Sequence, residues 1–200
     1  MLLTPTPKTP NPKAERIILG IDPGSLVTGY GIVRSIANRI EFLACGCIRT
    51  GGGAFPERLQ TIFTELQDIV LHYSPDEMAI ENVFLSRNPD SALKLGQARG
   101  AAICAVITNH INVSEYTANQ VKQAIVGKGH ASKTQVQHMV KVILNLDETP
   151  QADAADALAI AICHSNTQKT LSTLASNSSK RYPKEVLEAI NGRRKKRFQL

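Results

Sequence analysis

The chain has 200 residues, 42% hydrophobic and 20% charged, the size and balance of one globular domain with tails. No apolar stretch approaches the roughly 18 residues of a membrane-spanning helix, and the first residues, MLLTPTPKTPNPK, hold no apolar signal-peptide core. The net charge of +6 invites a polyanionic partner, yet residues 1–16 carry +2, residues 165–200 carry +7, and the 17–164 body is net −3. Residues 1–15, rich in Pro, Thr and Lys, read as a disordered leader. Residues 16–21 (RIILGI) are a β-branched run suited to a buried strand. The glycines of DPGSLVTGYGIV (Gly24, Gly29, Gly31) are read as turning the chain into a second strand, and residues 40–48 alternate as a third. Three closely connected strands predict an antiparallel meander.

Gly51, Gly52 and Gly53 precede a helix over residues 56–72, whose Leu59, Ile62, Phe63, Leu66, Ile69 and Val70 keep the 3.6 period. Residues 77–81 predict a fourth strand and 112–116 a fifth. Between them a helix over 89–109 carries a small-residue stripe, Ala98, Ala101, Ala102 and Ala105. That stripe suits either a close helix partner in a second subunit or packing on its own sheet. A helix over 118–126, the loop Gly127–His130 and a helix capped by Ser132 with Gln135 follow. The last predicted helix spans 150–164, and from residue 166 a Ser/Thr/Asn-rich tail leads to RRKKR, with a short helix at 185–190. Four cysteines without a CxxC are read as buried, reduced thiols rather than a zinc site, and the protein as cytosolic. The whole predicts a mixed α/β domain over 16–165 on a five-stranded sheet, with 166–200 as a flexible basic tail.

Four carboxylates sit in costly places. Asp22 and Glu81 end apolar strands, where sites in open α/β sheets collect. Asp153 and Asp156 share one face of a helix that is apolar all round beyond its first turn, and so is read as buried. Burying paired carboxylates without a cation costs several kcal/mol each, more than the about 0.3–1 kcal/mol that a helix dipole returns. A metal ion removes the conflict. Oxygen ligands without a histidine cluster suit Mg²⁺ or Mn²⁺, and a pair of such ions suits phosphoryl displacement.

The segments IDPGSLVTGYGIV, AIENVF, SALKLGQARG, VKQAIVGKGHASKTQVQHMV and QADAADALAIAICH, in this order over residues 17–164, closely resemble the RuvC family of bacterial Holliday-junction resolvases. The resemblance implies a ribonuclease H-like fold, with three antiparallel strands and then two parallel. It implies a homodimer that cuts four-way DNA junctions by paired symmetric nicks, leaving 5′-phosphate and 3′-hydroxyl ends, and a branch-migration complex (RuvA and RuvB) as partner. The family's catalytic carboxylates fall on Asp22, Glu81, Asp153 and Asp156 as ligands of about two Mg²⁺ per subunit, with Mn²⁺ a substitute. Some relatives have histidine at the first position of the helical pair, where this chain has Asp153. Lys122 and Lys133 match positions near the active site, with Lys133 taken as catalytic. Phe84 is implied to stack or wedge at the junction centre, with Arg87 and Asn88 as backbone contacts. Lys94, Lys128 and His130 complete the expected DNA contacts.

Within 82–146 the charge is +5, between two segments of −4, so a basic strip flanks the acidic residues. Three other readings are weaker. A nuclease for structured RNA shares the fold. An actin-like ATPase or sugar kinase begins with a similar Asp-Gly turn but needs two duplicated halves, more than 200 residues supply. A junction-binding protein without activity does not require four carboxylates.

Overall fold

The computed structural model describes residues 15–37, 39–82 and 88–181. Its strands are β1 (Arg16–Asp22), β2 (Val27–Ile36), β3 (Arg39–Arg49), β4 (Glu77–Glu81) and β5 (Asn112–Tyr116). Its helices are α1 (Phe55–Tyr73), α2 (Pro89–Ile107), α3 (Ala118–Val126), α4 (Lys133–Ile143) and α5 (Ala152–Arg181). The described residues divide into two units, one ending at Ser165 and the other beginning at Asn166.

The sheet order is β3-β2-β1-β4-β5, with β1, β2 and β3 antiparallel and β4 and β5 parallel to β1. This is the ribonuclease H-like arrangement expected from the sequence. Strand periodicity sends alternate side chains to opposite faces. Leu19, Ile21, Met78 and Ile80 pack against α1 and α2, while Ile18 and Ala79 pack against α3, α4 and the first part of α5. The second face also receives Asp22 and Glu81 by the same alternation. Capping boxes start two helices on that side: Thr117 with Gln120 opens α3, and Ser132 with Gln135 opens α4.

Three details depart from the sequence reading, and one choice that it left open, the role of the alanine stripe, is decided. Gly29 and Gly31 lie inside β2, paired with Asp22 and Gly20 of β1, rather than in a turn. The alanine stripe of α2 belongs to its own domain, because Ala98, Ala102 and Ala105 are fully buried in the core shared with α1. Cys104 is exposed and Cys45 and Cys47 are half-buried, so only Cys163 among the four free thiols is buried as expected. Helix α5 runs to Arg181, well past the expected stop near His164. Its polar residues fit a helix because their hydroxyls bond back to main-chain carbonyls: Thr170 to Asn166, and Ser172 and Thr173 to Lys169, at 2.8–3.0 Å.

Candidate active site

The site lies where β1 and β4 end beneath the start of α5. Asp22 closes β1, and the turn after it is pinned by buried Thr28, which donates to the Gly24 carbonyl at 2.8 Å and accepts from the Gly24 N–H at 3.3 Å. Three glycines then let α5 lie directly on the sheet. A Cβ on Gly20 would stand 2.1 Å from the Ala157 carbonyl oxygen, one on Gly29 would stand 2.0 Å from that of Asp153, and one on Gly31 would press into Leu158. Without side chains at these points the helix backbone touches the strands, and its acidic first turns arrive beside Asp22.

The result is a cluster in which carboxylate oxygens of Asp22, Asp153 and Asp156 all lie within 4.8 Å of one another. Burial, then the charges of Asp156, Glu81 and Asp153, push the Asp22 carboxyl up to about 7. Glu81 stands outside this three-residue group, yet burial and the Asp156 charge raise its pKa too. Lys133 answers part of the repulsion. Its ammonium lies 2.7 Å from Asp156 Oδ2, and the hydrogen bond to that carboxylate is the first cause of its raised pKa. Partly buried carboxylate oxygens in mutual repulsion are the donor set a hard divalent cation requires, so Asp22, Asp153, Asp156 and Glu81 fit a metal.

A cleft of about 190 Å³ opens beside the cluster. Glu81, Asp156, Lys122 and Lys133 give it charge, and Ala118, Val121, Val136 and Ile160 give it apolar walls. Thus two lysines of the expected set border the same cleft as two of the carboxylates. Lys128 and His130 are exposed on the loop between α3 and α4, outside the cleft lining. Lys94 is tied to Asp90 one turn away at 2.7 Å. Asn88 caps α2, its Oδ1 accepting from the Asp90 N–H at 3.1 Å. Phe84 and Arg87 lie outside the described residues.

Sequence reasoning missed two supports of the site. Arg99, counted only as part of the basic strip, reaches inward from α2: its Nε–H donates to the Glu81 carbonyl at 3.2 Å. Buried His164 of α5 joins the Tyr116 hydroxyl (2.8 Å, at Nδ1) to Glu77 at the far end of β4 (2.6 Å, at Nε2), and Glu77 pairs with Arg16 at the far end of β1 at 3.0 Å. The signal for His164 was available, since a histidine inside an otherwise apolar helix must find polar partners.

A mixed sheet of this order, carrying a cluster of carboxylates at the ends of its central strands, defines a ribonuclease H-like domain with a nuclease-type acidic centre. A family model described as crossover junction endodeoxyribonuclease RuvC matches residues 18–164. The chain belongs to the RuvC family. It is 57% identical to the crossover junction endodeoxyribonuclease RuvC of Tolumonas auensis over 159 residues, 80% of this chain and 92% of the relative. Identity to the Aeromonas salmonicida protein of the same name is 55% over 163 residues, 82% of this chain and 94% of the relative. Among solved structures, Thermus thermophilus RuvC in complex with Holliday junction substrate matches with a TM-score of 0.73 and 34% identity, over 78% of this chain and 96% of that one.

Proposed function

We propose that this protein resolves four-way DNA junctions as a Mg²⁺-dependent endonuclease, and that Asp22, Glu81, Asp153 and Asp156 hold the metal. The observation that carries this reading is the convergence of three carboxylates within 4.8 Å at the end of the central strand β1, in a chain of the RuvC family. Bound divalent ions supply a lowered water pKa and stabilise both oxygens of an in-line displacement. The protein's own groups do the positioning. Asp22 and Glu81 are fixed by strand ends and Asp153 and Asp156 by one helical turn, so the ligand set costs little to organise. Lys133 is free to turn from Asp156 toward the scissile phosphate, where an ammonium offsets the charge that grows as water adds to phosphorus and the bond to O3′ breaks. Breaking that bond leaves a 5′-phosphate and a 3′-hydroxyl.

A homodimer fits the task, because two symmetric nicks call for two sites related by a two-fold axis. The outward side of α2 suits such a contact. Leu93 and Ile107 are exposed on it, together with Cys104, and an added Cβ at Gly96 or Gly100 meets nothing within 4 Å. Phe84, Arg87, Lys128 and His130 are proposed to meet junction DNA, and residues 166–200 to add nonspecific affinity. A cytoplasmic branch-migration complex (RuvA and RuvB) is the proposed partner. Mapping nicks on a synthetic junction with homologous arms tests the reading. Paired nicks across the junction only when Mg²⁺ is present are expected. Binding without cleavage, or preference for structured RNA, overturns it.

A further inference from the structure

We infer that Arg99 is a positioning residue for Glu81, and not one of the DNA contacts its place in the basic strip suggests. Glu81 is the last residue of β4, and its carboxylate can be held only as firmly as the strand end that carries it. Two hydrogen bonds fix that end. The Asn82 N–H donates to the Tyr116 carbonyl at 2.8 Å, tying the exit to β5. The Arg99 Nε–H donates to the Glu81 carbonyl at 3.2 Å, tying it to α2.

The rest of the guanidinium is anchored as well. Its Nη2 lies 2.7 Å from Glu115 Oε1 on β5, a charge contact without a well-directed N–H along it. The Arg99 side chain is one-fifth exposed while that of Glu115 is about half exposed, so the arginine spends its charge inward. One planar group therefore joins three elements, α2, β4 and β5, at the residue where β4 leaves the sheet. Arginine suits this role because its fork presents several donors in a fixed plane, which a lysine cannot match. Residues that orient metal ligands from behind typically alter metal affinity by about 10–100-fold when removed.

The inference rests on Glu81 holding metal, and the test separates the two. Mn²⁺ affinity of the full-length protein is measured by calorimetry for the parent, Arg99→Met, Arg99→Lys, Glu81→Gln and the Glu81→Gln/Arg99→Met double variant. Four-way junction affinity is measured in parallel in metal-free buffer across a salt series. Arg99→Met is expected to weaken Mn²⁺ binding about tenfold, Arg99→Lys less, and the double variant no more than Glu81→Gln alone. Junction affinity and its salt slope are expected to stay at parental values. Unchanged Mn²⁺ affinity in Arg99→Met overturns the inference, as does a reduced salt slope, which marks a phosphate contact. If Arg99→Met does not fold, Glu115→Gln loosens the same guanidinium, and a several-fold loss there carries the same meaning. Parental affinity in Glu81→Gln defeats the metal-ligand reading itself, whatever Arg99 does.

Discussion

Gly29 and Asp153 are in backbone contact: a Cβ on the glycine would stand 2.0 Å from the aspartate's carbonyl oxygen. Gly29 is also the ladder partner of Asp22, so one position with no side chain brings two of the clustered carboxylates together. A clash with backbone cannot be relieved by a rotamer change; either α5 or β2 has to move. Gly29→Ala is therefore expected to destabilise the protein by about 3 kcal/mol, at the upper end of overpacking costs. Urea denaturation measures this, and Mn²⁺ titration should show weakened binding in whatever fraction folds. A near-neutral Gly29→Ala contradicts the close approach.

Asp22 gives a prediction with a sign. Its carboxyl is pushed from 3.8 to about 7, first by burial and then by Asp156, Glu81 and Asp153. An acid whose folded pKa is raised favours folding below its unfolded value and loses that contribution as pH climbs through the folded one. In EDTA the parent should thus lose stability between about pH 4 and pH 7. Asp22→Asn should escape that loss, standing about 4 kcal/mol above the parent at pH 8 and level with it near pH 3.5. Thermal melts across this pH range check it. In Mg²⁺ the same variant, like Asp156→Asn, should bind a junction and fail to cleave it.

Much of this was legible in the sequence, for reasons particular residues make plain. The strands and helices follow from period, and the four carboxylates stood out because charge at the end of an apolar strand or at the start of an apolar helix is expensive. What brings them together was not legible. Gly29 reads as a turn residue, and only the facing helix shows that it is a saddle. Arg99 reads as surface charge, because nothing in a sequence says whether a guanidinium points outward or back to a carbonyl. The extension of α5 was hidden by a composition that suits loops, since Thr and Ser compensate through bonds within the helix.

The chain Tyr116–His164–Glu77–Arg16 clamps α5 to the far ends of β1 and β4. His164 lowers the pKa of Glu77 through their hydrogen bond, and Arg16 does so as well, against the opposing effect of burial. An acid with a lowered folded pKa adds stability above its unfolded value of about 4.5, and that stability is lost as pH falls through the folded pKa. Glu77→Gln should therefore cost about 1–3 kcal/mol at pH 7, and the gap from the parent should close toward pH 3. Urea midpoints at the two pH values decide it. An equal gap at both would assign the cost to packing instead.

Lys133 and Asp156 form an ion pair at 2.7 Å, with the lysine side chain about half exposed. Because the pair is partly solvated, it contributes little to folding. Its consequence lies in the metal-free charge balance, where Lys133 lowers the pKa of both Asp22 and Glu81. With a divalent ion bound to the carboxylates, that balancing would no longer fall to Lys133, and its ammonium would be available to the phosphate. Lys133→Met is expected to leave urea stability in Mg²⁺ within about 0.5 kcal/mol of the parent. Single-turnover cleavage of a junction should slow by about 10²-fold, the loss of one electrostatic contact to a developing charge. Junction affinity should change far less than rate, since one phosphate contact among several is removed. A loss of affinity as large as the loss of rate would make Lys133 a binding residue and leave the transition-state charge to other groups.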